Sequence, residues 1–194
     1  MRNLHEPTYS FVILTFILIL VNTVLAYASV KFIPASASGV AYIFPAIAFM
    51  ILFTLWFGGY GAIAAYAGTL LGAGLLGSEI LLKNPQVAVI WAVAGLLQVL
   101  IPLVAVRSFE IDLTLENRRD VSLIILFGVV INNLIGAAWG AWTLGLVEPG
   151  MMGNIFSTWL IGNVIVTILI VPIALRVFTP KLQKSRLFVK NYWD

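Results

Sequence analysis

The stretch VSLIILFGVVINNLIGAAWGAWTLGL, residues 121–146, carries no charged side chain over its whole length. As an α-helix it is long enough to cross a hydrocarbon core of about 30 Å. A backbone can do so only with its N–H and C=O groups bonded internally. The rest of the chain follows the same rule. Of its 194 residues 61% are hydrophobic and only 10% charged, and a mean hydropathy of +1.05 lies far above that of a soluble domain. The expected fold class is all-α: a polytopic membrane helical bundle of about six transmembrane helices, forming one integral membrane domain over residues 1–194.

The expected spans are 9–32, 41–57, 62–77, 87–106, 121–146 and 155–177, followed by a basic tail over 178–194. Spans two and three are short for a crossing and are separated only by Gly58-Gly59-Tyr60-Gly61. Either both tilt little, or one dips into the bilayer and is shielded by its neighbours. Ala35-Ser36-Ala37 imitates a signal-peptidase site. The apolar run before it exceeds the roughly 7–15 residues of a signal-peptide core, so span one reads as a retained helix.

Charge sets the expected orientation. One side of a six-span chain receives Arg2, Arg107, Arg118, Arg119, Arg176, Lys181, Lys184, Arg186 and Lys190, and the other only Lys31 and Lys83. The positive-inside rule then makes both termini cytoplasmic. The net charge of +3 is explained by topology, and nucleic acid is not an expected partner. The only substantial polar loop between spans is RSFEIDLTLENRRD, residues 107–120. With the tail, it offers a lipid-facing basic end or a docking surface for a cytoplasmic partner.

The interior of the spans excludes several classes of function. The chain has no cysteine, so disulfides, thiol catalysis and cysteine-ligated metals are ruled out, and its one histidine, His5, lies in the N-terminal tail. No metal and no cofactor is expected. No Asp, Glu, Lys or Arg falls in the interior of a span; Lys31 and Arg176 stand at span ends. That argues against proton or ion coupling, which needs a group to hold the ion at depth, and against an enzyme, which needs titratable groups in mutual reach.

What the interior does hold is amides and tryptophans. Trp91 and Gln98 are seven apart on span four, Asn132 and Trp139 seven apart on span five, and Trp159 and Asn163 four apart on span six. Each pair shares a helix face. In each, the tryptophan lies nearer the outside and the amide deeper, by about 6–10 Å at 1.5 Å per residue. Together the six residues describe a pocket open to the outside, with an aromatic collar over an amide floor. Plainer roles exist for every one: tryptophans form interfacial belts, and amides bond between helices at about 1 kcal/mol or less each. Both roles on one face of three helices favour the pocket. Asn133, about 100° from Asn132 around the helix, reads as structural, as does Asn22 in span one.

Span three carries small residues, Ala64, Gly68 and Gly72, at spacing four, suited to close packing within the bundle or against a partner subunit. Gly136, Ala137 and Gly140 on span five read similarly, with room for a ligand beside Trp139 as a second use. Pro45, Pro102 and Pro172 fall within or near the ends of spans two, four and six, where each frees a carbonyl.

The order of Phe44-Pro45-Ala46, Arg118-Arg119-Asp120 and a last span running from Trp159-Leu-Ile-Gly162-Asn163 to Pro172 resembles the MASE1-type integral membrane sensory domains. Members of that family usually have an acid where Asn163 stands, which removes a cationic or proton-linked role there. They also usually continue into an output domain. The resemblance therefore implies a sensory module that reports to a separate cytoplasmic partner. Size, span number and the outward pocket are also similar, in architecture alone, to the substrate-binding subunits of energy-coupling-factor transporters, which rely on separate ATPase and coupling subunits. Their Ala-x-x-x-Ala contact is missing, since Ala26 is followed four on by Val30; the span-three stripe would have to replace it. The expectation is a multi-pass protein of the cell membrane that captures a small, mostly uncharged ligand for transport, or else senses it.

Overall fold

The computed structural model describes residues 9–36 and 40–189. Arg2, His5 and Lys190, named above, lie outside the described residues. The helices are α1 (Tyr9–Phe32), α2 (Ala46–Phe57), α3 (Gly59–Leu76), α4 (Glu79–Lys83), α5 (Pro85–Ser108), α6 (Arg118–Gly145) and α7 (Met152–Leu182), the last entered through a 3₁₀ turn at Pro149–Met151. Among the described residues the only β-pairing is one isolated bridge, between Ala35 and Ala41. The fold is an all-α bundle. Five helices are long and apolar enough to cross a membrane, which makes this a multi-pass membrane protein, while the apolar α2 has only 12 residues.

The bounds differ from the sequence expectation in an informative way. Helix α2 starts at Ala46, not at 41, because Pro45 occupies its N-cap and the preceding residues are drawn into a hairpin-like loop. There Ser36 N–H donates to Val40 O at 2.8 Å and Tyr42 N–H to Pro34 O at 3.0 Å. At its other end a single residue, Gly58, breaks the chain, with φ 62° and ψ −136°. That conformation is open to glycine and costly for other residues. Helix α3 then begins at once, and Gly61 lets it run against the backbone of Phe53 and Thr54, where a Cβ would overlap.

Ten of the twelve residues of α2 are buried. It is the central element, packed on by α1, α3, α5 and α7, with α6 lying against α5 and α7. Helix α1 is peripheral. It buries only the stripe Leu18, Asn22, Ala26 and Ser29, and exposes Val12, Ile13, Phe16, Ile17, Leu20 and Val24. The small residues of α3 serve that contact: Gly68 lies against Asn22, and Gly72 against Thr23 and Ala26. They pack inside the bundle.

At about 1.5 Å per residue, α2 is about 18 Å long, half the length of the 24-residue α1 and α5. A short rod inside a ring of long ones cannot fill it. At one end of the bundle the C-terminus of α2 meets the start of α1 and the ends of α5 and α7: Tyr60 stacks on Phe11 at 4.7 Å, and Trp56 Nε1 donates to Thr179 Oγ1 at 3.0 Å. At the opposite end, beyond the N-terminus of α2, the ring surrounds a cavity.

Candidate functional site

That cavity has a volume of about 330 Å³, within the range of small-molecule sites. Its base is the first turns of α2, through Phe44, Ile47 and Met50, and its mouth lies among Lys31, the 40–44 loop and Ser78 to Leu81 around α4. Helix α4 is capped by Ser78, whose Oγ accepts from Leu81 N–H at 3.3 Å. The loop is pinned to α7 at Gly162, where a Cβ would overlap the carbonyl oxygen of Tyr42. Thr69 and Ala73 line one wall from the π-helical half of α3, Thr69–Leu76. Widened helical turns of this kind are frequent at functional sites.

The opposite wall carries the polar groups. Trp91 and Gln98 from α5, and Trp159 and Asn163 from α7, all line the cavity. Trp91 and Trp159 meet edge to face with ring centroids 5.6 Å apart, and Gly140 on α6 leaves the room that the Trp159 ring occupies. Both indoles are more than nine-tenths buried, yet Nε1 of each has no hydrogen-bond partner among the described residues. A buried, unsatisfied N–H costs about 1–3 kcal/mol, so two side by side need an explanation.

Gln98 is oriented from behind. Asn133 Nδ2 donates to Val129 O at 2.8 Å and to Thr167 Oγ1 at 2.8 Å. Its Oδ1 must therefore accept, and it takes the bond from Gln98 Nε2 at 2.7 Å. Because the carbonyl of Val129 can only accept, the chain of bonds fixes which end of each amide is which. Gln98 Oε1 is left as the free acceptor of a residue that lines the cavity. Gly136 makes this possible, since a Cβ there would overlap the Gln98 side chain. The amide of Asn163 has no hydrogen bond among the described residues; only its backbone carbonyl is engaged, by Thr167 Oγ1 at 2.7 Å.

The other two residues expected in the pocket do not line it. Asn132 and Trp139 share one face of α6, as their spacing requires, but that face meets the backbone of α5. Asn132 Nδ2 donates to Gln98 O at 3.2 Å and Trp139 Nε1 to Ile90 O at 2.8 Å. Trp139 pairs edge to face with the half-exposed Trp142 at 5.3 Å, away from the cavity. Gly136 and Gly140 accommodate Gln98 and Trp159, with no ligand space beside Trp139. Sequence reasoning read Asn133 as structural without foreseeing that it positions Gln98, and did not name Thr69. The signal available was the presence of two neighbouring amides facing two different helices.

Charge stays at the rim: Lys31 and Glu79 are exposed, and no ionisable side chain stands among the polar groups of the wall. The wall offers one oriented acceptor, Gln98 Oε1, and the bifunctional amide of Asn163 over a largely apolar base. The chain matches no family model, no curated protein and no solved structure.

Proposed function

We propose that this protein is a membrane-embedded small-molecule-binding protein of the cell membrane, and that it serves as the substrate-capture subunit of a transporter driven by a partner ATPase. The observation that carries the reading is the cavity of about 330 Å³ whose wall holds Gln98 Oε1 and the amide of Asn163, neither with a hydrogen-bond partner among the described residues. A ligand with a complementary donor and acceptor would pair with them.

Direction follows from charge. Arg107, Arg118, Arg119, Lys181, Lys184 and Arg186 gather at the end opposite the cavity, whereas the cavity end has Lys31 and Lys83. The positive-inside rule turns the basic end, and with it both termini, to the cytoplasm and the cavity to the outside. Capture from outside and separate energisation agree with spans that contain no ion-coupling residue. A second reading, a MASE1-like sensory module, is favoured by one feature. Helix α2 floors the cavity with Ile47 and Met50, and at its far end Trp56 O accepts from Val189 N–H at 3.0 Å, so a single rigid element joins the site to the C-terminal segment.

The test is chemical. Protein purified from its own membranes and denatured should release a stoichiometric small molecule detectable by mass spectrometry, and Trp159→Phe together with Asn163→Leu should abolish its retention. If no molecule is released and the wild type has no thermal shift against a broad metabolite panel, the capture reading is wrong. A co-purifying ATPase favours transport, and a co-purifying kinase favours sensing.

A further inference from the structure

The lengths of the helices fix how deep the cavity mouth lies in the membrane. At the basic end Trp56 Nε1 donates to Thr179 Oγ1, Trp56 O accepts from Val189 N–H, and the carbonyl of Val189 accepts from Arg107 Nη2. These bonds set the C-terminus of α2 level with Arg107 and with the end of α7, where Arg176 and Lys181 flank Thr179. By the positive-inside rule that level is the cytoplasmic headgroup boundary. Gly58 turns the chain straight back there, so α3 starts from the same level. From Tyr60 to Leu76 it rises at most about 24 Å at 1.5 Å per residue, and tilt reduces that height. The hydrocarbon core alone is about 30 Å thick, and the whole bilayer about 40–45 Å. Helix α4 follows after Gly77 and Ser78, and the mouth that Ser78 to Leu81 border therefore opens inside the outer leaflet, short of the water beyond it.

The surface around the mouth fits that depth. Leu76, Leu82 and Tyr42 are 59%, 58% and 55% exposed. Facing water, large exposed apolar side chains of this kind are a liability; facing lipid, they continue the exposed apolar faces of the spans, with Tyr42 suited to the interface. Among the described residues the outer end carries four charged side chains, Lys31, Glu79, Lys83 and Glu148, against eleven at the inner end. That is too few for a layer standing in water, and the stems of Lys31 and Lys83 are long enough to carry their charges up to the headgroups.

We propose that the cavity is loaded from the outer leaflet, and that its ligand is a lipid-soluble molecule that partitions into the membrane before it binds. Its hydrophobic part rests on Ile47 and Met50, and its neutral polar group meets Gln98 and Asn163. This rests on the capture reading and narrows it to a substrate class.

The chain has no cysteine, so single nitroxide labels can report depth. Leu82→Cys and Tyr42→Cys place labels on two sides of the mouth, each checked by its melting temperature. Val24→Cys on the exposed face of α1 and Lys184→Cys at the basic end supply the lipid and water references. Each full-length protein, in nanodiscs of phosphatidylcholine and phosphatidylglycerol, is exposed to oxygen, which concentrates in lipid, and to nickel ethylenediaminediacetate, which stays in water. Labels at 82 and 42 should collide more with oxygen than with nickel, as at 24 and opposite to 184. Nickel-favoured collisions at either position, or shielding from both reagents, would overturn the proposal. The molecule released on denaturation, mixed with phosphatidylcholine vesicles, should pass into the lipid. A released molecule that stays in the water removes lipid loading and keeps capture; no released molecule removes capture and the substrate class with it, whatever depth the labels report.

Discussion

The two ends of the bundle treat polar side chains differently. At the end that holds the C-terminal segment several are paired across elements, although Thr114 Oγ1 and one carboxylate oxygen of Asp120 are buried with no hydrogen bond among the described residues. Trp56 donates to Thr179, Arg107 Nη2 donates to Val189 O at 3.1 Å, and the buried Asp120 ties the 109–117 loop together by accepting from Asp112 N–H at 3.2 Å and Asn117 Nδ2 at 2.6 Å. A second cavity lies there, of about 390 Å³, lined by Arg107, Asp112 and Val189 among others. Volume does not distinguish it from the first. At the other end, Trp91, Trp159 and Asn163 have polar atoms with no hydrogen bond among the described residues, and the amide of Asn163 belongs to a residue that lines the cavity. A tryptophan paired to protein, like Trp56, stabilises its end; under the proposed function the free amide of Asn163 serves a ligand.

This contrast can be broken most forcefully at Asn133. Asn133→Leu removes three hydrogen bonds at once and leaves Gln98 Nε2 buried and unpaired. It should lower stability by about 1–3 kcal/mol and abolish binding, read as a fall in melting temperature in detergent and as lost retention of the released molecule. Next comes Thr179→Val, which keeps shape but leaves Trp56 Nε1 without an acceptor. It should cost about 1–2 kcal/mol in the same melt, with ligand affinity unchanged. Trp139→Phe removes the bond to Ile90 O at the half-exposed edge of α6 and should cost about 0.6 kcal/mol. Binding measured alongside should not change; a loss there would return Trp139 to the site.

Much of this could be read from the sequence. Long uncharged runs specify membrane helices because lipid leaves the backbone no alternative, and the Trp91–Gln98 and Trp159–Asn163 spacings identify a face because helical geometry is fixed. Which way a face points is another matter. Asn132 and Trp139 have the same spacing, yet their side chains end on the carbonyls of Gln98 and Ile90, because α6 packs alongside α5 and its face never reaches the centre of the bundle. Asn133, one residue on, is turned between α5 and α7 and becomes the hub. The length of α2 was likewise hidden. Residues 40–45 are apolar enough to continue a span, and only the Pro34–Tyr42 and Ser36–Val40 bonds divert them into a loop. The cavity exists because of that diversion.

The central claim is that the amide of Asn163 in the cavity wall serves a ligand and does nothing for the fold. Asn163→Leu tests it most directly, with melting temperature and ligand retention measured on one preparation. Leucine removes an amide that has no hydrogen bond among the described residues and keeps its branched shape, its extra bulk facing the cavity. The unliganded protein should therefore melt at the wild-type temperature or higher, by up to about 1 kcal/mol of added stability, while binding is lost. A fall in stability like that of Asn133→Leu, with ligand still retained, would make Asn163 an ordinary structural amide and contradict the account.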